Sequence, residues 1–285
     1  MTALSEPEAP VAPVDQSDRM LPRLLRARRR DRRRKLLWSV LTPIALLLVW
    51  ELISRVGLLD ANFFPAPSTV LLESTRYFTD AKMRGDLLAN LQASGIRLGV
   101  GFVLGSIVGI VLGLVMGLVP VVRYALNAVI TATYPLPKLA LFPLMIIFFG
   151  IGDTSMIALV TLGVFFMVCI NTIAGVTYSP PIYRDVAQAF ELPRTTRLLR
   201  VTIPAAIPSV IGGLRLGFGQ ALIIVISTEF VSSQDGIGYM IWNSWQVLNV
   251  SAMFVGLAIV GIVGWLGSSL INIIGRRVVP WQDDD

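Results

Sequence analysis

The sequence has no histidine and a single cysteine, and charged residues make up only 15% of its 285 positions. Without histidine, no imidazole is present to act as a general base or as a metal ligand. Because Cys169 stands alone, an intrachain disulfide and a thiolate metal site are excluded, and we interpret Cys169 as a small buried hydrophobe. We therefore expect no metal site in this chain.

The sequence also has no GxxxxGK[ST] motif, the loop that surrounds the phosphates of ATP in many ATPases. A chain without this loop cannot bind ATP in that way. We therefore predict that the chain is not an enzyme by itself and needs no cofactor of its own.

Hydrophobic residues dominate the remaining composition, at 54% of the chain with a mean hydropathy of +0.71. Soluble proteins carry about 25% charged residues, which is more than this chain has. A membrane-spanning helix needs about 20 mainly apolar residues. Six segments meet that condition: 36–56, 92–118, 124–149, 154–176, 205–229 and 250–275. The sequence predicts an all-α polytopic membrane protein with about six transmembrane helices.

Basic residues are concentrated near the start of the chain, where ten of the 24 lysines and arginines lie between Arg19 and Lys35. We interpret residues 1–35 as a disordered, basic cytoplasmic arm, because such clusters beside an apolar segment fix orientation and contact anionic lipid. Nucleic-acid binding and a cleaved signal are weaker interpretations of the same tract. Placing the arm inside puts 17 basic residues inside and four outside. Both termini are then cytoplasmic, including an acidic tail at 281–285, while residues 59–91 lie outside, with Ser68 as a helix cap.

The second span carries a glycine at every fourth position, which leaves one helix face with almost no side chains. Faces of this kind allow close helix packing in membranes. We expect this face to pack against another helix of the chain or of a second copy. Its residues are Gly101, Gly105, Gly109, Gly113 and Gly117.

The third span contains three prolines around Lys138, so we expect its helix to be kinked or broken near the middle of the membrane. A lysine at that depth either faces the translocation pathway or donates to carbonyls that the prolines free. Arg215 and Gln220, within the fifth span, are further pathway candidates. Arg97 and Glu229 lie near the ends of their spans, where we expect them to reach the membrane surface.

The stretch from 178 to 208 is the longest charged segment between spans. Its periodicity predicts a short amphipathic helix from Ile182 to Phe190, with Ile182 and Val186 on one face. Leu192–Pro193 interrupts the helix, and a second basic helix leads to Pro204. The pattern is equally compatible with an ordinary connecting loop.

This loop resembles the EAA loop of permease subunits in ABC importers. Asp185, Val186 and Ala187 stand in the EAA positions, and Glu191 stands where the family has Gly. Pro204 closes the motif 13 residues later, as in the family. Asp185 shortens the reach of the family Glu, and a Gly at the turn suggests a positive φ that Glu accepts poorly. From residue 38 onward, FFPAPSTV, PLPKLALFPL, IPAAIPSVIGGLRLGFGQAL and TEFVSSQDGIGYMIWNS resemble segments of nitrate/sulfonate/taurine-type permeases.

The resemblance implies that residues 36–280 form a transmembrane permease domain in a bacterial inner membrane. Two permease copies would form the pathway for a small solute such as a sulfonate, taurine or nitrate. Two ATPase subunits, which bind ATP and Mg, and an extracytoplasmic solute-binding protein would complete the importer. The loop 178–204 would be the short cytoplasmic coupling helix, with Ala187 on the docking face. The implied coupling residues are Asp185, Val186, Ala187, Phe190, Glu191, Arg194, Arg197 and Pro204.

Two other classes of protein remain as alternatives. A secondary transporter or channel would also be apolar, but it should contain paired broken helices, and only one span is interrupted by prolines. A membrane-embedded hydrolase would need an unusual Ser–Lys arrangement in a chain without histidine.

Overall fold

We describe residues 15–58, 60, 62–178 and 181–280 in a computed structural model, with the backbone alone for residues 15–33, 36, 181, 183, 184 and 186. Every regular element in these ranges is a helix, which confirms the predicted class. The helices are α1 (Asp15–Arg55), α2 (Pro67–Thr79), α3 (Ala81–Leu118), α4 (Pro120–Thr133), α5 (Phe142–Phe149), α6 (Asp153–Thr177), α7 (Pro181–Ala189), α8 (Arg194–Arg197), α9 (Ile203–Ser232), α10 (Ile237–Gln246) and α11 (Val250–Val278). A 3₁₀ turn (Lys138–Leu141) precedes α5, and a π turn (Leu198–Thr202) precedes α9.

The number of membrane spans agrees with the sequence prediction. Among the described residues, five helical segments are long and apolar enough to cross a membrane, and a bent pair adds a sixth if it counts as one span. The bent pair joins Pro120–Thr133 to Lys138–Phe149 at an angle of 97°. Pro135 and Pro137 lie in this break, where their missing N–H groups and fixed φ end α4. The third predicted span is therefore two short helices.

The chain divides into two compact units, of which the first ends at Ser68. Its helix α1 begins at Asp15, whereas the sequence analysis placed residues 15–35 in a disordered arm. The basic tract is rich in arginine and leucine, which favour helix, and it continues a helix that the apolar span has already nucleated. Residues 1–14 of the expected arm lie outside the described residues. So does the acidic tail, 281–285.

The start of α2 is capped by a carboxylate from α1. The backbone N–H of Ser68 donates to Glu51 Oε2 at 3.0 Å, and its hydroxyl donates to Glu51 Oε1 at 2.7 Å. Because α2 begins at Pro67, Ser68 lies inside the first turn instead of at the predicted cap position. Glu51 thus supplies the negative charge that a helix N-terminus favours.

The second unit, from Thr69 onward, is built around α3, α6 and α9. Its largest core cluster joins Leu98 of α3 to Val160 and Val164 of α6 and to Ile224 of α9, all nearly inaccessible to solvent. A second cluster packs α10 and α11 against the start of α3. We refer to the end of this unit that holds α10 as the α10 end, and to the end that holds α7 as the α7 end.

Candidate functional site

The five glycines at four-residue intervals on α3 lie against α6. A Cβ built on each would come within 2.5 to 2.9 Å of an atom of α6, with Val160, Thr161, Val168, Thr172 and Val176 as the nearest residues. These separations are closer than real Cβ contacts, so the two backbones approach as only glycine allows. The packing partner lies within the chain, which leaves this face of α3 covered without a second copy.

A buried arginine organises the α10 end of the same helix. Arg97 is only 3% exposed, and its Nη1 donates to Glu229 Oε1 at 2.8 Å. Its Nε donates to Asp153 Oδ1 at 2.8 Å, and its Nη2 donates to Asp235 Oδ1. A single guanidinium therefore joins α3 to the start of α6, the end of α9 and the loop before α10.

Glu229, the buried partner of Arg97, is 1% exposed and accepts further hydrogen bonds. The hydroxyl of Ser94 donates to Oε1 at 2.8 Å, and the backbone N–H of Gly238 donates to Oε2 at 2.8 Å. A Cβ at Gly236, where φ is +104°, would collide with the Glu229 carboxylate. Glycine at 236 therefore provides both the backbone conformation and the space that this carboxylate occupies.

The first turn of α10 is held by side chains of α3. The backbone N–H of Gly236 donates to Asn90 Oδ1 at 2.8 Å, and that of Ile237 donates to Ser94 Oγ at 2.8 Å. Together with Glu229, these groups satisfy N–H donors that a helix N-terminus leaves unpaired. The negative charge of Glu229 is also favoured at this end of the helix dipole.

The expectation that Arg97 and Glu229 reach the membrane surface is wrong. Both side chains are buried, because each pairs with the opposite charge of the other. Asp153 and Asp235 also bond Arg97 but keep side-chain exposures of 63% and 57%. The hydrogen bond from Arg97 lowers the pKa of Asp235 from its ordinary value, so this carboxylate stays ionised. The ion pairs of this cluster connect α3 to α6 and α9. Its three carboxylates outnumber its single guanidinium, so the cluster carries excess negative charge.

Sequence reasoning missed Ser94, Asp153 and Asp235 as members of this cluster. Two charges of opposite sign near the same ends of two apolar spans were the available signal. Asp153 directly follows a loop and Asp235 lies in one. The sequence pattern does not define the geometry of these loops, so the contacts of both aspartates with Arg97 could not be predicted.

Lys138 lies at the break in the third predicted span and donates to backbone carbonyls there. Its Nζ bonds the carbonyl oxygens of Tyr134 at 2.6 Å, Leu136 at 2.9 Å and Thr133 at 3.4 Å. It also lies 4.7 Å from the ring centroid of Phe166 on α6. These contacts favour a structural role for Lys138 over a pathway role, since the ammonium donates to backbone carbonyls exposed at the break between α4 and the 3₁₀ turn.

The other pathway candidates lie on different faces of α9. Gln220 is half-buried, and its Cγ would lie 3.5 Å from a Cβ built on Gly163 of α6. Arg215 is exposed and lines a cavity between α9 and α11 at the α7 end. Arg215 and Gln220 therefore do not share one surface of α9.

The loop 178–204 forms α7, a turn, α8 and a π turn that leads directly into α9. Asp185, Phe190, Arg194 and Arg197 are exposed, with Phe190 at 74%. Ala187 is 1% exposed, so its expected place on the docking face is wrong. Its small side chain fits against the chain itself, whereas bulkier neighbours such as Ile182 stay accessible.

The side chain of Val186 lies outside the described residues. Pro204 is half-buried near the start of α9, directly after the π turn.

Glu191 closes α7 in a left-handed conformation, with φ of +48°. Its backbone N–H donates to the carbonyl of Gln188 at 3.0 Å, and the N–H of Leu192 donates to the carbonyl of Ala187 at 3.1 Å. These two bonds define a Schellman motif, in which glycine usually occupies the position of Glu191. The positive φ suggested by a family glycine is thus adopted here by a glutamate.

Known proteins resemble this chain over most of its length. Residues 105–283 match the family described as binding-protein-dependent transport system inner membrane component. An aliphatic sulfonates transport permease protein of Bacillus subtilis is 30% identical, over 90% of this chain and 92% of its own length. The taurine transport system permease protein of Escherichia coli is 31% identical, over 88% and 92%. A nitrate import permease protein of Leptolyngbya laminosa is 29% identical, over 85% and 88%.

Two solved structures share the fold at low sequence identity. A methionine ABC transporter in inward facing conformations superposes with a TM-score of 0.60 at 16% identity, over 70% of this chain and 99% of that one. An amino acid ABC transporter crystallised with histidines gives a TM-score of 0.54, also at 16% identity, over 70% and 98%. At this level of identity, the likeness supports the helical fold alone.

Proposed function

Because this chain belongs to the family of binding-protein-dependent transport system inner membrane components, we propose that it is the permease subunit of an ATP-driven ABC importer. Two copies of the chain form the pathway, and two separate ATPase subunits bind ATP and Mg. An extracytoplasmic solute-binding protein delivers the solute. A permease role fits better than a secondary transporter, a channel or a hydrolase, because the relatives are named as transport permease proteins.

The proposed coupling role rests on the exposed surface formed by α7 and the turn that follows it. Phe190 and Ile182 leave 74% and 62% of their surface accessible beside the exposed Asp185. Large apolar side chains around a charge are typical of a surface that a partner protein covers. The π turn joins this surface to α9, so a displacement of α7 on ATPase binding would be transmitted to a membrane-spanning helix.

The proposed solute is a small anion. The three relatives compared above carry names that refer to aliphatic sulfonates, taurine and nitrate, and all of these contain an oxyanion group. Arg215 and Gln220 remain pathway candidates on α9, together with Lys138 at the break. For Lys138 the carbonyl contacts support a structural role more strongly.

The orientation follows from the charges at the two ends of the second unit. Arg276 and Arg277 end α11 at the α7 end, together with Arg194, Arg197 and Arg200 of the loop. Basic residues beside membrane spans are retained on the cytoplasmic side. We place the α7 end and both termini in the cytoplasm and the α10 end outside.

The test reconstitutes the chain in proteoliposomes with its ATPase and solute-binding protein. The chain alone should not hydrolyse ATP, and addition of the ATPase should produce activity. Asp185→Lys should weaken ATPase binding about tenfold, since it reverses a charge at the docking surface. Asp86→Lys, an exposed charge reversal at the α10 end, is the matched control and should leave ATPase affinity unchanged.

Two results would contradict the proposal. One is ATP hydrolysis by the isolated, contaminant-free chain. The other is equal ATPase affinity and uptake in the wild type and Asp185→Lys, which would place the docking surface elsewhere.

A further inference from the structure

A cavity of about 360 Å³ lies at the α10 end, where residues of α2, α3, α10 and the loop before α10 line it. Its volume falls in the range of small-molecule sites in proteins. One part of the wall is apolar, because Met83, Leu87 and Met240 line it and belong to the second core cluster. This part of the wall is suited to an alkyl chain or another small apolar group.

The rest of the wall is polar, and several of its side chains have unused hydrogen-bonding groups. Tyr77 and Ser244 line the cavity although they are only 9% and 8% exposed. Neither of their hydroxyls has a hydrogen-bond partner among the described residues. The same holds for the side chains of Gln234, Tyr239 and Asn243 in this wall. Buried polar groups of native proteins nearly always have a partner, so water or a ligand with matching groups completes this wall.

The charge in the described wall is negative. Asp86 on α3 contributes a carboxylate that forms no ion pair with any described residue. Lys82 and Arg84 precede it on the same helix, but neither is among the described lining residues. Asn90 lines the cavity and also bonds the first turn of α10, beside the cluster of three carboxylates around Arg97. The described wall therefore favours a cation over the anionic solute proposed above.

We propose that this cavity binds a primary ammonium group, with its charge at Asp86 and its alkyl chain against Met83 and Met240. An ammonium group only donates hydrogen bonds, and the carboxylate, hydroxyl and amide oxygens of the wall all accept them. The wall also contains Tyr77 and Tyr239, and the ring faces of tyrosines attract cations. The site goes beyond the proposed transport function, because its ligand has the opposite charge to the solute. In the orientation proposed above, it lies outside the cell.

Two sources can supply such a group. The first is the headgroup of phosphatidylethanolamine, because α10 carries the exposed Trp242 and Trp245, and tryptophans are enriched at the level of lipid headgroups. Lys82 and Arg84 would then offer partners for the lipid phosphate. The second source is a small amine dissolved outside the cell. Both bring an ammonium group to Asp86, and they are separated by whether the ligand must carry acyl chains.

The lipid arm measures phosphatidylethanolamine retained by the full-length, detergent-purified chain, by native mass spectrometry. Phosphatidylcholine is the matched lipid, because it has the same charge but no ammonium N–H to donate. Asp86→Asn should weaken phosphatidylethanolamine retention about tenfold, and Tyr77→Phe about fivefold, through the loss of a charged and of an uncharged hydrogen-bond acceptor. Asp185→Asn makes the same change at an exposed aspartate of the α7 end and should alter retention less than about twofold.

The free-amine arm adds butylammonium chloride to the chain in lipid-free detergent and measures binding by saturation-transfer NMR, with butanol as the uncharged analogue. Millimolar binding that Asp86→Asn weakens about tenfold and Asp185→Asn leaves unchanged would identify a free amine as the ligand. Preference for phosphatidylethanolamine without saturable butylammonium binding would identify the lipid. Because Asp86 is exposed, Asp86→Asn should fold normally, and unfolding temperatures without ligand check this for both cavity variants.

The proposal is overturned if the wild type neither prefers phosphatidylethanolamine to phosphatidylcholine nor binds butylammonium more tightly than butanol. A cavity that holds only water would give this result. The proposal is also overturned if Asp86→Asn binds both probes as the wild type does, or if Asp185→Asn weakens binding as much as Asp86→Asn. No measurement here needs the ATPase or the solute-binding protein, so the proposed function is tested separately.

Discussion

Arg97 and Glu229 are 132 residues apart in the sequence and form a buried ion pair, with Arg97 Nη1 2.8 Å from Glu229 Oε1. Removing two charges from water is costly, so such a pair persists only where further hydrogen bonds satisfy both groups. Here Ser94 and Gly238 donate further hydrogen bonds to the carboxylate of Glu229. The exposed Asp153 and Asp235 accept further hydrogen bonds from the guanidinium of Arg97. These ion pairs and hydrogen bonds therefore hold α3, α6 and α9 together at the α10 end.

The first prediction concerns this ion pair. Arg97→Gln should destabilise the chain by about 3–5 kcal/mol, because it leaves the Glu229 carboxylate buried without its cation. The measurement is unfolding of the purified chain in detergent. Arg97→Gln combined with Glu229→Gln should be less destabilised than Arg97→Gln alone, because no unpaired charge remains. Additive effects of the two changes would show that the ion pair contributes no coupling energy.

The membrane spans could be predicted from the sequence, whereas the burial of the charged side chains near their ends could not. Apolar runs and the glycine spacing on α3 are local patterns, and each has a simple physical consequence. The burial of Arg97 depends on Glu229 and Asp235, which lie more than 130 residues away in the sequence. No local sequence pattern could therefore predict it. Ala187 was assigned to the docking face by motif position, yet its side chain is only 1% exposed.

The second prediction is a loss of stability in acid that depends on Asp235. Its pKa is lowered by the hydrogen bond from Arg97, so its stabilising contribution is complete above the ordinary carboxyl pKa. The contribution is lost as the pH falls below about 4 and the carboxylate takes up a proton. Because the side chain is 57% exposed, the contribution should not exceed about 1 kcal/mol.

The measurement for Asp235 compares unfolding of the wild type and Asp235→Asn from neutral pH down to about pH 3. The stability difference between them should shrink on acidification, since protonated aspartate and asparagine are both neutral. A difference that stays constant over this range would show that Asp235 does not interact with Arg97 as a charged group.

The third prediction uses two glycines on α3 as a matched pair. A Cβ at Gly109 would lie 2.9 Å from Val168 Cβ, whereas a Cβ at Gly99 meets nothing within 4 Å. Gly109→Ala should therefore lower stability by about 1–3 kcal/mol through overpacking against α6. Gly99→Ala should be neutral or stabilising, because alanine favours helix by about 1 kcal/mol. Gly109→Leu should impair folding more severely. Equal unfolding temperatures for the two alanine variants would argue against close packing at Gly109.

The fourth prediction concerns the turn after α7. Glu191 adopts φ of +48°, which costs a residue with a Cβ about 1 kcal/mol or more relative to glycine. Glu191→Gly should therefore stabilise the Schellman motif and slow amide exchange at Leu192, measured by hydrogen exchange. Glu191→Ala is the control, since it removes the carboxylate but keeps the strain. If Glu191→Ala stabilises as much as Glu191→Gly, the effect comes from charge, and the backbone conformation is not responsible.

The last prediction distinguishes the two roles considered for Lys138. Its ammonium donates to the carbonyls of Tyr134 and Leu136 at 2.6 and 2.9 Å, in a break where the prolines supply no donors. Lys138→Met keeps the length of the side chain and removes the charge, leaving these carbonyls without their charged donor. The expected loss is about 2 kcal/mol, typical of a hydrogen bond to a charged group. Lys82→Met, an exposed lysine at the start of α3, is the matched control and should change stability little.

Uptake measured beside the unfolding temperature makes the Lys138 test decisive. If Lys138 is structural, stability and assembly of the Lys138→Met variant should fall before transport per assembled complex does. If the ammonium instead attracts the anionic solute, the variant should assemble normally and transport poorly. A normally assembled variant with wild-type uptake would exclude an essential role for this charge in either process. The carbonyl contacts favour the first outcome, because an ammonium whose N–H groups already donate to backbone carbonyls has none left for a passing anion.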